Sequence, residues 1–353
     1  MKLVLFKVNQ LGDSIVFLPV VQQLRKSFPN GRITILTSPV AAPLYAADLP
    51  AEKIWMSPTR PFNALWKNPF RLAGWIRRLK KISPHASLLA DDQGNVAHLL
   101  ARVAGGPLRI GVRRPFVRVP GSLTHAVEAS ESLSFAELNW KLGKVLVETL
   151  GAGDWPSQPP APDLSHLCRS ATEASRQPIV FHPGASSACK MWPLDRARDL
   201  AERLARDHTV IWINQPEISP PSASRNLILQ NTATLGDLVT QIAEAGLFIG
   251  NNSGPMHLAS ALGIPSVILN GVSYPHWDPF WNRDRIKILR CDHLPPLTPE
   301  TLHRPSVEHL TPSIKEACRT QWTVDRVEEE VRAWHARWKK PFFLAGVPPA
   351  LKL

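Results

Sequence analysis

The sequence predicts two doubly wound α/β units in tandem, and three observations carry that prediction. Short apolar runs rich in β-branched residues alternate with runs of helical period along both halves of the chain. A stretch rich in glycine and proline, residues 151–162, separates the halves, as domain linkers do. At 353 residues the chain is also longer than a single hydrophobic core usually grows.

Leu3–Val8 is an apolar run short enough for a buried strand, and Asn9–Gly12 is a polar turn. Ile15, Leu18, Val21, Leu24 and Phe28 then recur at helical spacing until the breakers Pro29, Asn30 and Gly31. Ile33–Leu36 reads as a second strand, completing a βαβ unit of a parallel sheet. Ser87–Ala90 reads as a further strand, Val96–Val103 as the helix it feeds, and Asn139–Leu150 as the last helix before the linker. The second half predicts strands at Ile179–His182, Val210–Ile213, Leu227–Gln230, Leu247–Gly250 and Ser266–Asn270. Helices are expected at Leu194–Arg206, Leu235–Ala245 and Pro255–Leu262. The domains are accordingly placed at 1–160 and 161–340. An amphipathic helix at Val324–Trp338 is expected to brace both, and an apolar, proline-rich tail at 341–353 reads either as disordered or as a site for loose membrane contact.

Charge divides the halves sharply. Residues 1–150 hold 20 Lys and Arg against 9 Asp and Glu, whereas residues 151–353 hold 21 against 20. Eight basic residues and no acid lie between Lys53 and Ala90, and five more without an acid between Gln93 and Val127. A one-sided basic field attracts a phosphorylated substrate or an anionic membrane surface. Nucleic acid is disfavoured because no helix-turn-helix, zinc-finger or aromatic RNA-binding pattern is present. Cys168, Cys189, Cys291 and Cys318 are dispersed without a CxxC pair, which argues against a disulfide scaffold and for a reducing compartment. No signal-peptide pattern opens the sequence and no apolar run approaches a membrane span, so the expected location is cytoplasmic.

Three polar segments follow expected strands, where open parallel sheets bind ligands. In Asn9-Gln10-Leu11-Gly12-Asp13, Gly12 permits a tight turn, and Asp13 serves equally well as a helix cap or as a base facing the cleft. The second runs from Phe181 through His182, Pro183, Gly184, Ser186, Ser187 and Lys190 to Trp192-Pro193; its hydroxyls, backbone amides and ammonium suit a diphosphate. The third is Gly250-Asn251-Asn252-Ser253-Gly254-Pro255-Met256-His257, with proline at the first helical position and free amide groups that attract phosphate. His182 reads as structural, whereas His257 is placed to face phosphates. The missing GxGxxG disfavours a nicotinamide cofactor. Asp91 and Asp92 would point apart in an extended segment, and with no DxD pair or histidine cluster no metal site is expected.

Together these segments resemble the ADP-heptose:lipopolysaccharide heptosyltransferases of glycosyltransferase family 9. The residues that carry the resemblance are the Gly12-Asp13 pair followed by Pro19 and Leu24, the turn Ala90-Asp91-Asp92-Gln93-Gly94, the HPGAS…KxWP segment and the NSGPMH segment. Cys318 running into Thr323–Val327 completes the series, which spans about residues 1–335. The resemblance implies a GT-B fold whose two Rossmann-like domains face a central cleft, with the acceptor on the first and the nucleotide-sugar on the second. It implies an inverting, metal-independent transferase of lipopolysaccharide biosynthesis, with no cofactor beyond its ADP-heptose donor. Asp13 would be the general base and Lys190 would neutralise the departing diphosphate. Ser186, Ser187, Asn252, Ser253, Gly254 and His257 would line the donor side, and Gly12, Asp91 and Gln93 the acceptor side. The implied acceptor is an anionic lipid-linked oligosaccharide met at the cytoplasmic face of the inner membrane. Two departures stand out: many members carry an acid where this chain has Asn252, and Val272–Trp281 matches no assigned pattern, leaving Trp277 as a stacking candidate for the donor. Another donor, a protein acceptor, or a catalytically silent nucleotide- or glycan-binding module remain as alternatives.

Overall fold

The run Lys2–Lys7 (β1) is apolar between its two lysines and buries five of its six residues, which is how a strand covered on both faces reads. The computed structural model describes residues 1–57, 62–169, 177–298 and 310–338. The tail at 341–353 lies outside the described residues. In chain order β1 is followed by α1 (Leu11–Ser27), β2 (Arg32–Thr37), β3 (Ile54–Met56), α2 (Pro69–Ile82), β4 (Ala86–Leu89), α3 (Asn95–Val103), β5 (Leu108–Val112), β6 (His125–Val127) and α4 (Phe135–Thr149). The second half contains β7 (Ile179–His182), α5 (Leu194–Leu204), β8 (Val210–Ile213), β9 (Leu227–Gln230), α6 (Leu235–Ala243), β10 (Leu247–Asn251), α7 (Gly254–Ala261), β11 (Ser266–Asn270) and β12 (Ile286–Arg290). Two helices, α8 (Pro312–Thr320) and α9 (Val324–Trp338), close it.

Each half forms one six-stranded parallel sheet. The orders are β3-β2-β1-β4-β5-β6 and β12-β11-β10-β7-β8-β9. Numbered within its own half, the second order is the first one reversed end for end, so both sheets share one topology. In each, the chain reverses direction between its first and fourth strands: β1 and β4 in one, β7 and β10 in the other. Ligands of such sheets bind at that reversal, beyond the carboxyl ends of the strands.

The expected strands and helices are present. Absent from the sequence reading were β3, β5, β6, β12, α2 and α8. The missed strands β5 (LRIGV) and β12 (IKILR) carry charged residues within their apolar runs, and β3 and β6 are only three residues long. The linker is ordered by aromatic packing: Trp155 stacks against Trp140 at 4.4 Å, and Trp140 Nε1 donates to Pro156 O at 2.7 Å. A Cβ at Gly143 would stand 2.4 Å from the Trp155 ring, so glycine is required there. The two halves touch where α1 meets α7. The expected brace, α9, makes its main contacts with α5 and β11 of the second sheet, burying Val327 and Val331 there.

The cysteines differ from expectation. Cys291 and Cys318 form a disulfide across 27 residues of sequence, with Cα atoms 5.1 Å apart, while Cys168 and Cys189 are free. The pair joins the end of β12 to α8, elements that meet only in the folded chain, and that distance in sequence hid it.

Candidate active site

The four sequence-selected segments that hold the expected site residues emerge at the two chain reversals. The Asn9–Asp13 turn follows β1 and the Asp91–Gly94 turn follows β4; His182–Lys190 follows β7 and Asn252–His257 follows β10. The first helical turn of α1 contains Asp13, whose Oδ2 accepts the Gln10 amide at 3.3 Å. It is therefore a cap, as one of the two sequence readings had it, but Oδ1 takes no hydrogen bond among the described residues. Burial in the cleft pushes the Asp13 carboxyl up to about 7. Lys7 pulls it down, Asp92 and Asp91 push it up, and Lys190 pulls it down more weakly.

Beneath Asp13 lies a charge network that the sequence did not reveal. Lys7 is 1% exposed, and its Nζ stands 2.8 Å from Asp92 Oδ2 and 3.6 Å from Asp91 Oδ1. The expectation that Asp91 and Asp92 point apart does not hold. The chain turns at these residues instead of extending, so both carboxylates converge on one ammonium. Burial lowers the Lys7 pKa, but Asp92 and Asp91 outweigh it and hold the ammonium charged. Asn139 Nδ2 donates to Asp91 Oδ1 at 2.7 Å, and Arg114 Nε donates to Asp91 O at 3.0 Å. Gln93 is buried and donates from Nε2 to Asp92 Oδ1 at 2.6 Å. A lysine at the end of an apolar strand was the one available signal for this network.

The second switch point is neutral by contrast. Asn251, within the third segment but given no role by the sequence, donates from Nδ2 to Pro183 O at 2.6 Å and accepts the Trp192 amide on Oδ1 at 2.9 Å. It thereby ties the second segment to the third. Burial holds His182 and His257 near pKa 4, the latter with help from Lys190, so both imidazoles are uncharged at neutral pH. His182 Nε2 pairs with Gln215 Nε2, as a structural histidine should. Asn252 Nδ2 and His257 Nδ1 are buried and have no hydrogen-bond partner among the described residues. Ser186 and Ser187 are exposed on the loop, and Lys190 is half-buried behind them. Ser253 precedes α7 without capping it; its hydroxyl donates to Asn251 O at 3.2 Å instead.

Both helix starts meet in the cleft. A Cβ added to Gly12 would lie 3.1 Å from His257 Cδ2 and 3.3 Å from Gly254 Cα. Glycine at both positions lets the backbones approach this closely without displacing a neighbour, and a methyl at either would need a shift of a few tenths of an ångström. Trp277 is packed on Phe135 across the two halves with ring centroids 3.8 Å apart, so one partner of this donor-stacking candidate is protein. Among the described residues no group of three or more His, Cys, Asp or Glu side chains is placed to hold a metal. Beside Asp91, a cavity of about 600 Å³ is lined by His98, Arg113, Arg114, Arg118 and Ser122.

A family model described as "Glycosyltransferase family 9 (heptosyltransferase)" matches residues 97–301. The chain belongs to glycosyltransferase family 9. It is 24% identical over 310 residues to lipopolysaccharide heptosyltransferase 3 of Escherichia coli, covering 80% of this chain and 87% of that one. The structure of E. coli heptosyltransferase WaaC with ADP superposes with a TM-score of 0.67 at 14% identity, covering 95% of this chain and all of the other. The E. coli ADP-heptose lps heptosyltransferase II gives 0.65 at 19% identity, covering 96% and 99%. These likenesses establish the GT-B fold, and family membership makes the chain a heptosyltransferase-like glycosyltransferase.

Proposed function

We propose that this family 9 enzyme transfers heptose from ADP-heptose to an anionic lipopolysaccharide-core acceptor with inversion, using Asp13 as general base and no metal. The carrying observation is a carboxyl raised to about 7, in the first turn of α1 where the two units meet. A base poised near the working pH is what deprotonation of a sugar hydroxyl needs, and it contributes roughly 10²- to 10⁴-fold. In the proposed step the acceptor O–H gives its proton to Asp13 while its oxygen bonds to the anomeric carbon. The bond from that carbon to the diphosphate breaks, and ADP leaves with the electron pair.

The leaving charge falls on the second unit. Lys190 and the uncapped amides opening α7 supply positive potential there, so the reading needs no metal. Ser186, Ser187 and Ser253 offer hydroxyls to the phosphates, and the buried amide of Asn252 offers N–H donors to the sugar. On the acceptor side, Gly12 lets the helix start approach, while Asp91 and Gln93 hold Lys7 and Asp92 in place. The arginine-lined cavity suits phosphate or carboxylate groups of the acceptor. The domains divide as 1–160 and 161–340, and the lipid-linked acceptor puts the enzyme at the cytoplasmic face of the inner membrane. The test is a donor screen by thermal shift across ADP-heptose, UDP-sugars and GDP-sugars. A donor at ~100 times its dissociation constant should stabilise by about 2.7 kcal/mol. A shift selective for ADP-heptose supports the reading; preference for another donor keeps the reaction type and overturns the sugar. No shift with any of them favours a silent module.

A further inference from the structure

Three aromatic side chains of the first unit are exposed on segments that follow its strands. Phe70 is 90% exposed, Trp66 49% and Phe116 37%. In a parallel sheet every strand ends at the same edge, so the segments following β3 and β5 both leave from the edge that carries Asp13 and Asp91. Trp66 belongs to the short turn at Phe62–Lys67 and Phe70 to the first turn of α2. The turn at Phe62–Lys67 packs on α3. The first residue of α3, Asn95, donates to Phe116 O at 3.3 Å and accepts the Arg118 amide at 2.6 Å. Helix α3 thus touches both the turn that carries Trp66 and, through Asn95, the loop of Phe116, whose neighbours Pro115 and Val117 line the arginine-rich cavity.

Cations accompany each ring. Lys67 and Arg71 flank Trp66 and Phe70, Arg113 and Arg118 flank Phe116, and Arg77, Lys80 and Lys81 continue along exposed α2. Glu128 pairs with Arg113, and no acid lies within Lys53–Ala90 or Gln93–Val127. Exposed aromatics among cations suit one partner above others: a bilayer with anionic headgroups, into whose interface rings insert while ammonium and guanidinium groups meet phosphate. Nucleic acid would use the same cations, but it would stack bases on a groove and not on protruding rings.

We propose that Trp66, Phe70 and Phe116, with Lys67, Arg71, Arg113 and Arg118, form the surface by which this enzyme docks on an anionic phospholipid bilayer. It rests on the reading that the acceptor is lipid-linked, and it presents the arginine-lined cavity to the headgroups. The test is co-sedimentation of the full chain with vesicles of phosphatidylglycerol and phosphatidylethanolamine, against vesicles of phosphatidylcholine alone. Three proteins are compared: the wild type, Trp66→Ser/Phe70→Ser and Lys67→Gln/Arg71→Gln. The wild type is expected on anionic vesicles only, with binding that weakens as salt rises. Loss of two cations should weaken partition roughly thirtyfold, and loss of two rings by roughly tenfold or more. Melting temperature and the ADP-heptose shift should stay at the wild-type values in both variants. If one pair fails to fold, the other decides. Absence of wild-type sedimentation, equal binding to neutral vesicles, or full binding by the variants overturns the proposal. A wild type that docks but ignores every nucleotide-sugar overturns the donor reading alone.

Discussion

The two units share one topology and fill the same switch point with opposite electrostatics. After β1 and β4 the first unit buries Lys7, Asp91 and Asp92 with Asp13 above them. After β7 and β10 the second buries neutral groups, Asn251, Asn252, His182 and His257, with the charge of Lys190 acting on His257. The difference teaches what each position is suited to do. A carboxyl crowded by two other carboxylates and shielded from water holds its proton until near neutrality, which is how a base becomes tuned. A neutral polar cradle around helix amides leaves their partial positive charge unopposed, which suits a diphosphate. The fold supplies the location in both cases, and the side chains decide the chemistry.

The largest break in that contrast is Asp13→Asn, which keeps the shape and removes the base. Transfer should fall by about 10²- to 10⁴-fold, with the ADP-heptose thermal shift preserved. The wild-type rate should rise with pH through about 7 and then level off, whereas the residual rate of the variant should be flat across that range. Unchanged turnover in the variant would dismiss Asp13 as base.

Lys190→Ala removes the charge of the second unit that acts on Asp13. Loss of a positive group at the leaving diphosphate should lower the rate by roughly 10²- to 10³-fold. Because Lys190 pulls the Asp13 carboxyl down, the acid limb of the pH–rate profile should also move upward. A rate loss without that movement would mean that the two switch points do not share a field.

Stability should record the same tension. A carboxyl raised from 3.8 to about 7 contributes nothing below its unfolded pKa, where both states are protonated. Between those values the unfolded chain releases its proton first, so stability falls as pH rises, and the penalty is complete above about 7. At about 1.36 kcal/mol per unit the upper bound is about 4 kcal/mol, and residual solvent screening reduces it. Asp13→Asn should therefore raise the melting temperature at pH 8 and leave it nearly unchanged at pH 4. A variant less stable than wild type at pH 8 would contradict the burial penalty.

Much of this was legible in the sequence, and the illegible parts share a cause. Strand runs ending in Asn9–Asp13, His182–Lys190 and Asn251–His257 announce themselves locally, because one short segment holds both the strand and its polar end. Lys7 meets Asp91 and Asp92 only through the β1–β4 pairing, and Asn139 reaches Asp91 from α4, 48 residues away. The expectation of diverging aspartates failed because a turn replaced the extended chain. Trp277 finds Phe135, and Cys291 finds Cys318, only after the strands are ordered. Residue types signal local chemistry, and partners across crossovers need the topology first.

The smallest effects test the junction itself. Gly12→Ala sets a methyl 3.1 Å from His257 Cδ2 and 3.3 Å from the Gly254 backbone. The ring can shift slightly, but the backbone of α7 cannot without moving the donor cradle, so a loss of about 1–3 kcal/mol is expected. Gly74→Ala, in the interior of α2, is the control: nothing lies within 4 Å of its Cβ position, and restricting the unfolded chain should add about 0.4–1 kcal/mol. Denaturant midpoints of the two variants should move in opposite directions, and the ADP-heptose shift should shrink only in Gly12→Ala. If Gly12→Ala keeps both its midpoint and its donor shift, the contact between the helix starts is looser than the geometry indicates, and the two units come together mainly through Phe135 and Trp277.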